Sequence, residues 1–182
     1  NLYIVDLPAD AWVTGSPYRI VLQSEDDEVE DAREAAYEQA EAKLDELGIG
    51  GGVDVAAHHG DGEGGDAQSL TYGRPGYGLG EPQDVHELEL ETFAAESPEF
   101  DCEALIGDPA LGFALFLDGD ELHRDEGDLP RSRACPMGYR IHAVVMPPVW
   151  LWDVEAPVAV IATYPFGFEG PDRRFLVVPL AN

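Results

Sequence analysis

The sequence predicts a β-rich α+β fold in which an N-terminal strand–helix–strand unit precedes an antiparallel sheet, a barrel or a jelly-roll-like sandwich. One long amphipathic helix pattern lies in the first third of the chain, and short β-type runs separated by glycine and proline fill the rest. Hydrophobic residues make up 45% of the 182 residues, which is enough for a packed core. We expect a single domain, divided into a strand–helix–strand part (1–57), a glycine-rich loop (58–83) and a β-rich part (84–182).

The first part of the chain is predicted from its helix pattern. Ser24 is the expected N-cap of a helix of about six turns, because apolar side chains recur every three or four residues from Val29 to Leu47. Gly48 is expected to end this helix in the left-handed conformation. The remaining β-type runs of this part predict strands at 2–5, 12–14, 18–23 and 53–57.

The second half of the chain reads as β-structure. Glutamate and apolar residues alternate over 85–93, which is typical of a half-exposed antiparallel strand. Asp118 and Gly119 predict a tight turn, and residues 125–138 are predicted to form a polar loop. The runs around these segments predict further strands at 111–117, 121–124, 140–146, 149–152, 158–164 and 174–178.

Acidic residues dominate the charge of this chain. It has 37 acidic and 10 basic residues, a formal net charge of −27 at pH 7, and Lys43 is its one lysine. At molar ionic strength the Debye length falls to ~3 Å, so exposed carboxylates barely repel one another. The composition resembles that of proteins from salt-in halophiles, mainly haloarchaea and the viruses that infect them. The alternatives are an acidic mesophilic protein or an acidic mimic of nucleic acid.

The same charge argues against several partners. Nucleic acid and anionic membrane surfaces need basic clusters, which this sequence lacks. No apolar run approaches the ~20 residues of a transmembrane helix, and the first residues do not resemble a signal peptide. The chain does not begin with methionine, which suggests processing at the N-terminus. We therefore expect partners to be further copies or other protein subunits, and a location in a virion or in the cytoplasm of a high-salt organism.

Two regions are candidate interfaces. Residues 1–100 hold 24 acidic and 4 basic residues, whereas residues 101–182 hold 13 and 6, and the apolar last third includes Trp150 and Trp152. This third is interpreted as core sheet alone or as core plus subunit interface. Tyrosine and arginine favour contact surfaces, so the glycine-rich loop adds a second candidate, with ordinary loop packing as the alternative. Its residues are Tyr72, Arg74 and Tyr77.

A metal site is predicted just after the strand at 53–57. His58, His59 and Asp61 offer imidazole and carboxylate ligands for a divalent metal such as zinc, manganese or iron. Their spacing matches no known metal motif, and adjacent histidines on an extended backbone point in opposite directions. A hydrated loop is the alternative.

Two further groups of residues are candidates for a catalytic or a metal-binding role. Cys102 and Cys135 are interpreted as small buried residues, with a single disulfide or a catalytic thiol (Cys135 with His142) as alternatives. Carboxylates around the predicted hairpin could hold calcium or magnesium, but such clusters are expected by chance in so acidic a chain. They are Asp118, Asp120, Asp125, Glu126 and Asp128.

These patterns lead to two hypotheses of function. The first is a non-enzymatic structural or assembly subunit of an extreme halophile or its virus, of the virion or capsid type, working in molar salt. It rests on the weakly charged apolar C-terminal third and on the absence of a recognisable catalytic motif. The alternative is a metal-dependent hydrolase whose site lies in the 58–63 loop, and a binding role with an unknown partner also stays open.

We expect low salt to destabilise or dissociate the protein, because unscreened carboxylates then repel one another. Acidification toward pH 4 should partly replace salt, since protonation removes the same charges. Thermal unfolding followed by circular dichroism across a KCl series at two pH values measures both effects. Full stability in millimolar salt at neutral pH would contradict the halophilic interpretation.

Overall fold

The computed structural model describes residues 2–6, 11–21, 28–50, 52–59, 67–74, 82–97, 99–147, 157–167, 170–171 and 173–180. The chain divides into two compact units, Asn1–Gly52 and Val53–Asn182. The single domain that the sequence predicts stays a prediction.

The N-terminal unit begins with a short antiparallel pair, β1 (Val5–Asp6) and β2 (Ala11–Trp12). Ser16 Oγ accepts a hydrogen bond from the Ile4 N–H at 2.8 Å, which ties the end of this hairpin to its start. The predicted strand at 18–23 is wrong where it is described, because residues 18–21 form only a bridge from Tyr18 to Leu2. Val21 is 78% exposed, so the described end of this β-prone run is not packed in a core. Residues 22 and 23 lie outside the described residues.

The described part of this unit also contains a long helix, α1 (Val29–Leu47). It begins later than predicted. Its N-cap is Glu28, whose N–H donates to the Asp31 carboxylate at 3.4 Å, and Ser24 lies outside the described residues. The predicted C-terminus is confirmed, since Gly48 has φ 67° and caps the helix. Neither this helix nor the other described one is long and apolar enough to cross a membrane.

The C-terminal unit is a sandwich of two four-stranded antiparallel sheets, which confirms the predicted β-rich α+β class. Sheet I has the order β10-β9-β8-β3 and sheet II the order β4-β5-β6-β7, and neither is closed into a barrel along its described strands. A short helix, α2 (Cys102–Ile106), which the sequence did not predict, lies between β5 and β6. The strands are β3 (Asp54–His58), β4 (Ser69–Arg74), β5 (Gln83–Ala95), β6 (Ala110–Leu117), β7 (Asp120–Arg124), β8 (Pro136–Met146), β9 (Val158–Pro165) and β10 (Arg174–Pro179).

The core lies between the two sheets. Sheet II contributes Leu88, Leu90, Phe113 and Leu115, and sheet I contributes Tyr139, Ile141, Val144, Ala159, Ile161 and Val178. Each fully buried aliphatic or aromatic side chain contributes roughly 1.5–3 kcal/mol of transfer free energy. The apolar alternation along the strands therefore determines which face of each sheet is turned inward.

The predicted glycine-rich loop at 58–83 is wrong in its centre, where β4 pairs with β5. Leu70 and Tyr72 are buried while Thr71 between them is exposed, which is a short strand pattern. The glycines on both sides obscured this pattern in the sequence. Residues 60–66 and 75–81 lie outside the described residues.

Most of the other strand predictions agree with the structure. The alternation over 85–93 lies within β5, with Leu88 and Leu90 buried. Asp118 (φ 52°) and Gly119 (φ 87°) form the predicted tight turn between β6 and β7. The predicted loop at 125–138 ends earlier, because β8 begins at Pro136 and a short 3₁₀ turn covers Arg131–Arg133. The predicted strand at 149–152 lies outside the described residues.

Gly112 on β6 provides a test of packing in sheet II. A Cβ at Gly112 would lie 3.0 Å from the Phe93 ring and 3.2 Å from Ala95 Cβ. We therefore expect Gly112→Ala to lower the free energy of unfolding by about 1–3 kcal/mol. Urea unfolding in molar KCl measures the change.

Gly138 on β8 is the matched control, because a Cβ there meets nothing within 4 Å. Gly138→Ala should leave stability unchanged or raise it by up to about 1 kcal/mol. Equal changes in the free energy of unfolding for the two substitutions would show that the Phe93 ring leaves room for a Cβ at Gly112.

Candidate functional site

A charged network is buried around Arg133, between β7 and β8 in the chain. Arg133 Nη1 donates to Asp125 Oδ2 and to the Tyr139 hydroxyl, each at 3.2 Å. The side chains of Arg133 and Asp125 are only 6% and 7% exposed. The guanidinium also lies over the Phe113 ring at 5.3 Å and near the Tyr139 ring at 5.8 Å. Arg133 is thus held by one carboxylate, one phenol and two aromatic rings.

Asp125 is the centre of this network. Besides Arg133, its carboxylate accepts a hydrogen bond from the Phe113 N–H at 3.0 Å and lies 3.3 Å from His123 Nε2. Burial alone would raise the pKa of Asp125. The hydrogen bond to His123, the Arg133 charge and the Phe113 N–H outweigh burial and hold that pKa below its ordinary value. Asp125 is therefore a carboxylate at neutral pH.

The phenol of Tyr139 is the neutral member of the network. Burial raises the pKa of Tyr139, and the neighbouring Arg133 only partly opposes this effect. The hydroxyl therefore stays protonated at neutral pH. Thr163, which is buried, lies directly opposite Tyr139 on β9. The network is thereby joined to the middle of sheet I.

This network holds the segment between β7 and β8 against the sandwich. His123 is its most exposed member, at 33%, and an Asp–His pair can in principle transfer protons. Both oxygens of Asp125 are already bound within the chain, which is the pattern of a structural ion pair. Sequence reasoning placed Asp125 in an acidic cluster and did not consider Arg133. The two residues are eight positions apart, a separation that carries no recognisable pattern.

A second histidine–aspartate pair lies at the turn between β6 and β7. His86 Nδ1 is 2.7 Å from Asp118 Oδ2, and the Glu87 N–H donates to Asp118 Oδ1 at 2.9 Å. The hydrogen bond to His86, followed by the one from Glu87, lowers the pKa of Asp118. A carboxylate on one ring nitrogen orients the other for proton transfer or metal binding. His86 is 39% exposed.

Tyr72 lies beside this pair, with its ring 5.5 Å from that of His86. Burial and then the charge of Asp118 raise the pKa of Tyr72. The proposed calcium or magnesium cluster does not form here, because Asp118 is bound to His86 while Asp125 is bound to Arg133. Within the described ranges, no group of three His, Cys, Asp or Glu side chains is placed to hold a metal.

The predicted metal site is described only in part. His58 is exposed at the end of β3, whereas His59 is half-buried, with Nε2 2.8 Å from the Ser69 carbonyl oxygen. The backbone N–H of His59 donates to the His142 carbonyl oxygen at 2.9 Å. Asp61 lies outside the described residues. A metal at these three residues therefore stays a prediction, and His59 would offer it Nδ1.

The predicted interface residues lie in different surroundings. Tyr72 is on a strand, not in a loop, and is only 4% exposed because it packs in the core. Arg74 ends the same strand, with its Nε 4.0 Å from Asp84 Oδ2. Tyr77, Trp150 and Trp152 lie outside the described residues. Tyr72 is thus unavailable as a surface contact, and the role of the others stays a prediction.

Cys102 and Cys135 form a disulfide, which the sequence offered only as an alternative. The bond joins α2 to the residue before β8. It lies in a small apolar cluster with Ala110 and Leu129, against which Phe100 packs. The preferred interpretation as unbridged residues is wrong. The catalytic thiol is also excluded, since neither sulfur is free.

Residues 1–181 match a family model described as "Predicted secreted protein (DUF2259)". The chain belongs to this family. No curated protein and no solved structure gives a significant match. The family description, together with the disulfide, gives the first indication of where such a chain works.

The described strands of sheet I carry fewer acidic side chains than those of sheet II. The strands β8, β9 and β10 contain no Asp or Glu, and the one acidic residue of β3, Asp54, is at its start. In sheet II, by contrast, Glu87, Glu89 and Glu91 point outward from β5. We call the outer surface of sheet I the acid-free face. It comprises Val55, Arg140, Val145, Val160, Tyr164, Phe175 and Val177, and Ala162 between them is only 1% exposed.

Replacing Asp125 tests the buried ion pair. Asp125→Asn leaves the Arg133 charge without a counter-ion, so we expect a loss of about 3–5 kcal/mol in the free energy of unfolding. Glu126→Gln, at an exposed neighbour, should change it by less than about 0.5 kcal/mol. Urea unfolding in molar KCl compares the two.

The pH dependence has a defined sign. Because the folded pKa of Asp125 is lowered from 3.8, its stabilising effect is complete above that value and is lost as the pH falls through the folded pKa. Asp125→Asn should therefore flatten the acid limb of the stability curve below about pH 4. An unchanged acid limb would mean that Asp125 is not the group responsible.

Proposed function

We propose that this protein is a secreted, disulfide-stabilised structural or assembly subunit that works outside the cell in molar salt. The observation that carries the proposal is the Cys102–Cys135 bond in a chain whose family is described as predicted secreted. Disulfides persist in oxidising compartments and are rare in the cytosol. The cytoplasm, one of the two locations expected from the sequence, is accordingly replaced by the exterior.

The net charge of the chain also supports a location in molar salt. A net charge of −27 would stress a compact fold in dilute buffer, whereas the medium around an extreme halophile screens it. The disulfide adds a covalent link between α2 and the residue before β8. With a separation of 33 residues, it lowers the entropy of the unfolded chain by an amount worth about 3–4 kcal/mol.

The polar groups support a structural role, because they stabilise the connections between strands. Asp125 and Arg133 hold the segment between two strands, and Asp118 with His86 holds the tight turn at the end of β6. The acid-free face supplies a surface suited to another protein. A virion of a haloarchaeal virus and a cell-surface assembly are both extracellular structures that such a subunit would serve. The metal-dependent hydrolase at His58, His59 and Asp61 is the competing proposal.

Secretion is tested by producing the complete gene product in a haloarchaeal host and separating medium, surface fraction and cytosol. Each fraction is treated with a maleimide reagent, with and without prior reduction. We expect the protein outside the cytosol, labelled only after reduction because both thiols are bridged. A cytosolic protein labelled without reduction would overturn the proposal.

The disulfide itself is tested in the purified protein. The double substitution Cys102→Ser with Cys135→Ser should lower the free energy of unfolding by about 3–4 kcal/mol. Reduced wild-type protein is the control, and its stability should match that of the double variant. Elemental analysis of the same samples tests the competing proposal, which requires one stoichiometric transition metal.

A further inference from the structure

The connection between β7 and β8 (residues 125–135) carries both the buried ion pair and one end of the disulfide. It begins with Asp125 and ends with Cys135, and Arg133 pairs with Asp125 across it. Ala134, between Arg133 and Cys135, has φ 53°, a left-handed conformation that a non-glycine residue keeps only where its surroundings impose it. The ion pair and the disulfide therefore hold the same stretch of backbone.

The β7–β8 connection is fastened to the end of β5 by a few hydrogen bonds. The Leu129 N–H donates to the Glu96 carbonyl oxygen at 2.9 Å, and Ser97 Oγ donates to the Ala134 carbonyl oxygen at 3.3 Å. Apart from the 3₁₀ turn and a single bridge, the connection has no regular secondary structure. A segment with so few backbone hydrogen bonds opens more easily than the sheets that it joins.

The disulfide is inaccessible while this connection is closed. Cys102 and Cys135 are only 5% and 2% exposed, and Leu129 of the same connection, at 2%, packs in their cluster. A reducing thiolate must reach one of the two sulfur atoms to form the first mixed disulfide. Reduction therefore requires a conformation in which the connection has moved away from its closed position.

We infer that the buried ion pair of Asp125 protects the Cys102–Cys135 bond against thiol reductants, because it keeps closed the local unit through which a reductant must enter. An external dithiol attacks one sulfur, releases the other as a thiolate and then resolves the mixed disulfide. Two electrons and two protons thus pass from the dithiol, which becomes a disulfide, to the two cysteines. When closing is faster than attack, the observed rate follows the population of the open connection.

The test compares two substitutions that both lower the stability of the whole fold. Asp125→Asn removes the counter-ion within the connection, whereas Leu88→Ala truncates a fully buried side chain of β5. Leu88 pairs with Leu117 at the end of the β5–β6 ladder remote from Ala110, which packs with the disulfide. Each protein is treated with excess dithiothreitol in molar KCl and quenched with a maleimide, and mass spectrometry follows the thiols over time.

We expect Asp125→Asn to be reduced at least about a hundredfold faster than wild type, since the uncompensated charge of Arg133 favours the open connection. Leu88→Ala should change the rate by less than about threefold, because the sheets need not unfold. The wild-type rate should also vary little with urea below the unfolding transition, since local opening exposes little surface. Equal acceleration by the two substitutions, or a rate that rises with urea as steeply as global unfolding does, would overturn the inference.

A milder pair of variants keeps the test decisive if Asp125→Asn or Leu88→Ala does not fold. Ser97→Ala removes one hydrogen bond to the connection and should accelerate reduction about three- to tenfold. Ile161→Val, in the core of sheet I, is the control and should leave the rate unchanged. Equal rates for these two variants would contradict the inference. Rapid reduction of purified wild-type protein would leave the proposed location standing, because the inference concerns the folded chain and not where it works.

Discussion

Keeping most of its 37 acidic side chains in water constrains the strands of this chain. A carboxylate loses several kcal/mol of hydration free energy when it is buried without a partner, so each strand must give one apolar face to the core and leave its acids outside. β5 meets this condition by strict alternation, with Leu88 and Leu90 inward and glutamates outward. The sandwich follows, because two such sheets can bury both apolar faces against each other.

Among the described residues, Asp125 is a buried exception, and its surroundings show what a buried carboxylate needs in this fold. It accepts from Arg133 and from the Phe113 N–H, and His123 lies on its other oxygen. Cys135 follows Arg133 by two residues and is bonded to Cys102. An ion pair and a covalent bond thus fasten the same short segment, where the chain leaves sheet II and enters sheet I.

The fold could be predicted where the pattern is local. The alternation of β5, the Asp118–Gly119 turn and the Gly48 helix end are each encoded within a few residues, and the structure confirms them. β4 was missed because Leu70 and Tyr72 are surrounded by glycines. The strand predicted at 18–23 failed over its described residues, 18–21, because a β-prone run still needs a partner strand. The pairings of Cys102 with Cys135 and of Asp125 with Arg133 join residues that the fold brings together, so spacing alone did not indicate them.

The two sheets of the C-terminal unit meet solvent with different chemistry. Glu87, Glu89 and Glu91 point outward from β5 of sheet II, whereas β8, β9 and β10 of sheet I contain no Asp or Glu. Exposed carboxylates attract cations and hold water, so the counter-ions of a concentrated salt solution gather mainly over sheet II. Along the described strands, the ion atmosphere of this unit is therefore one-sided.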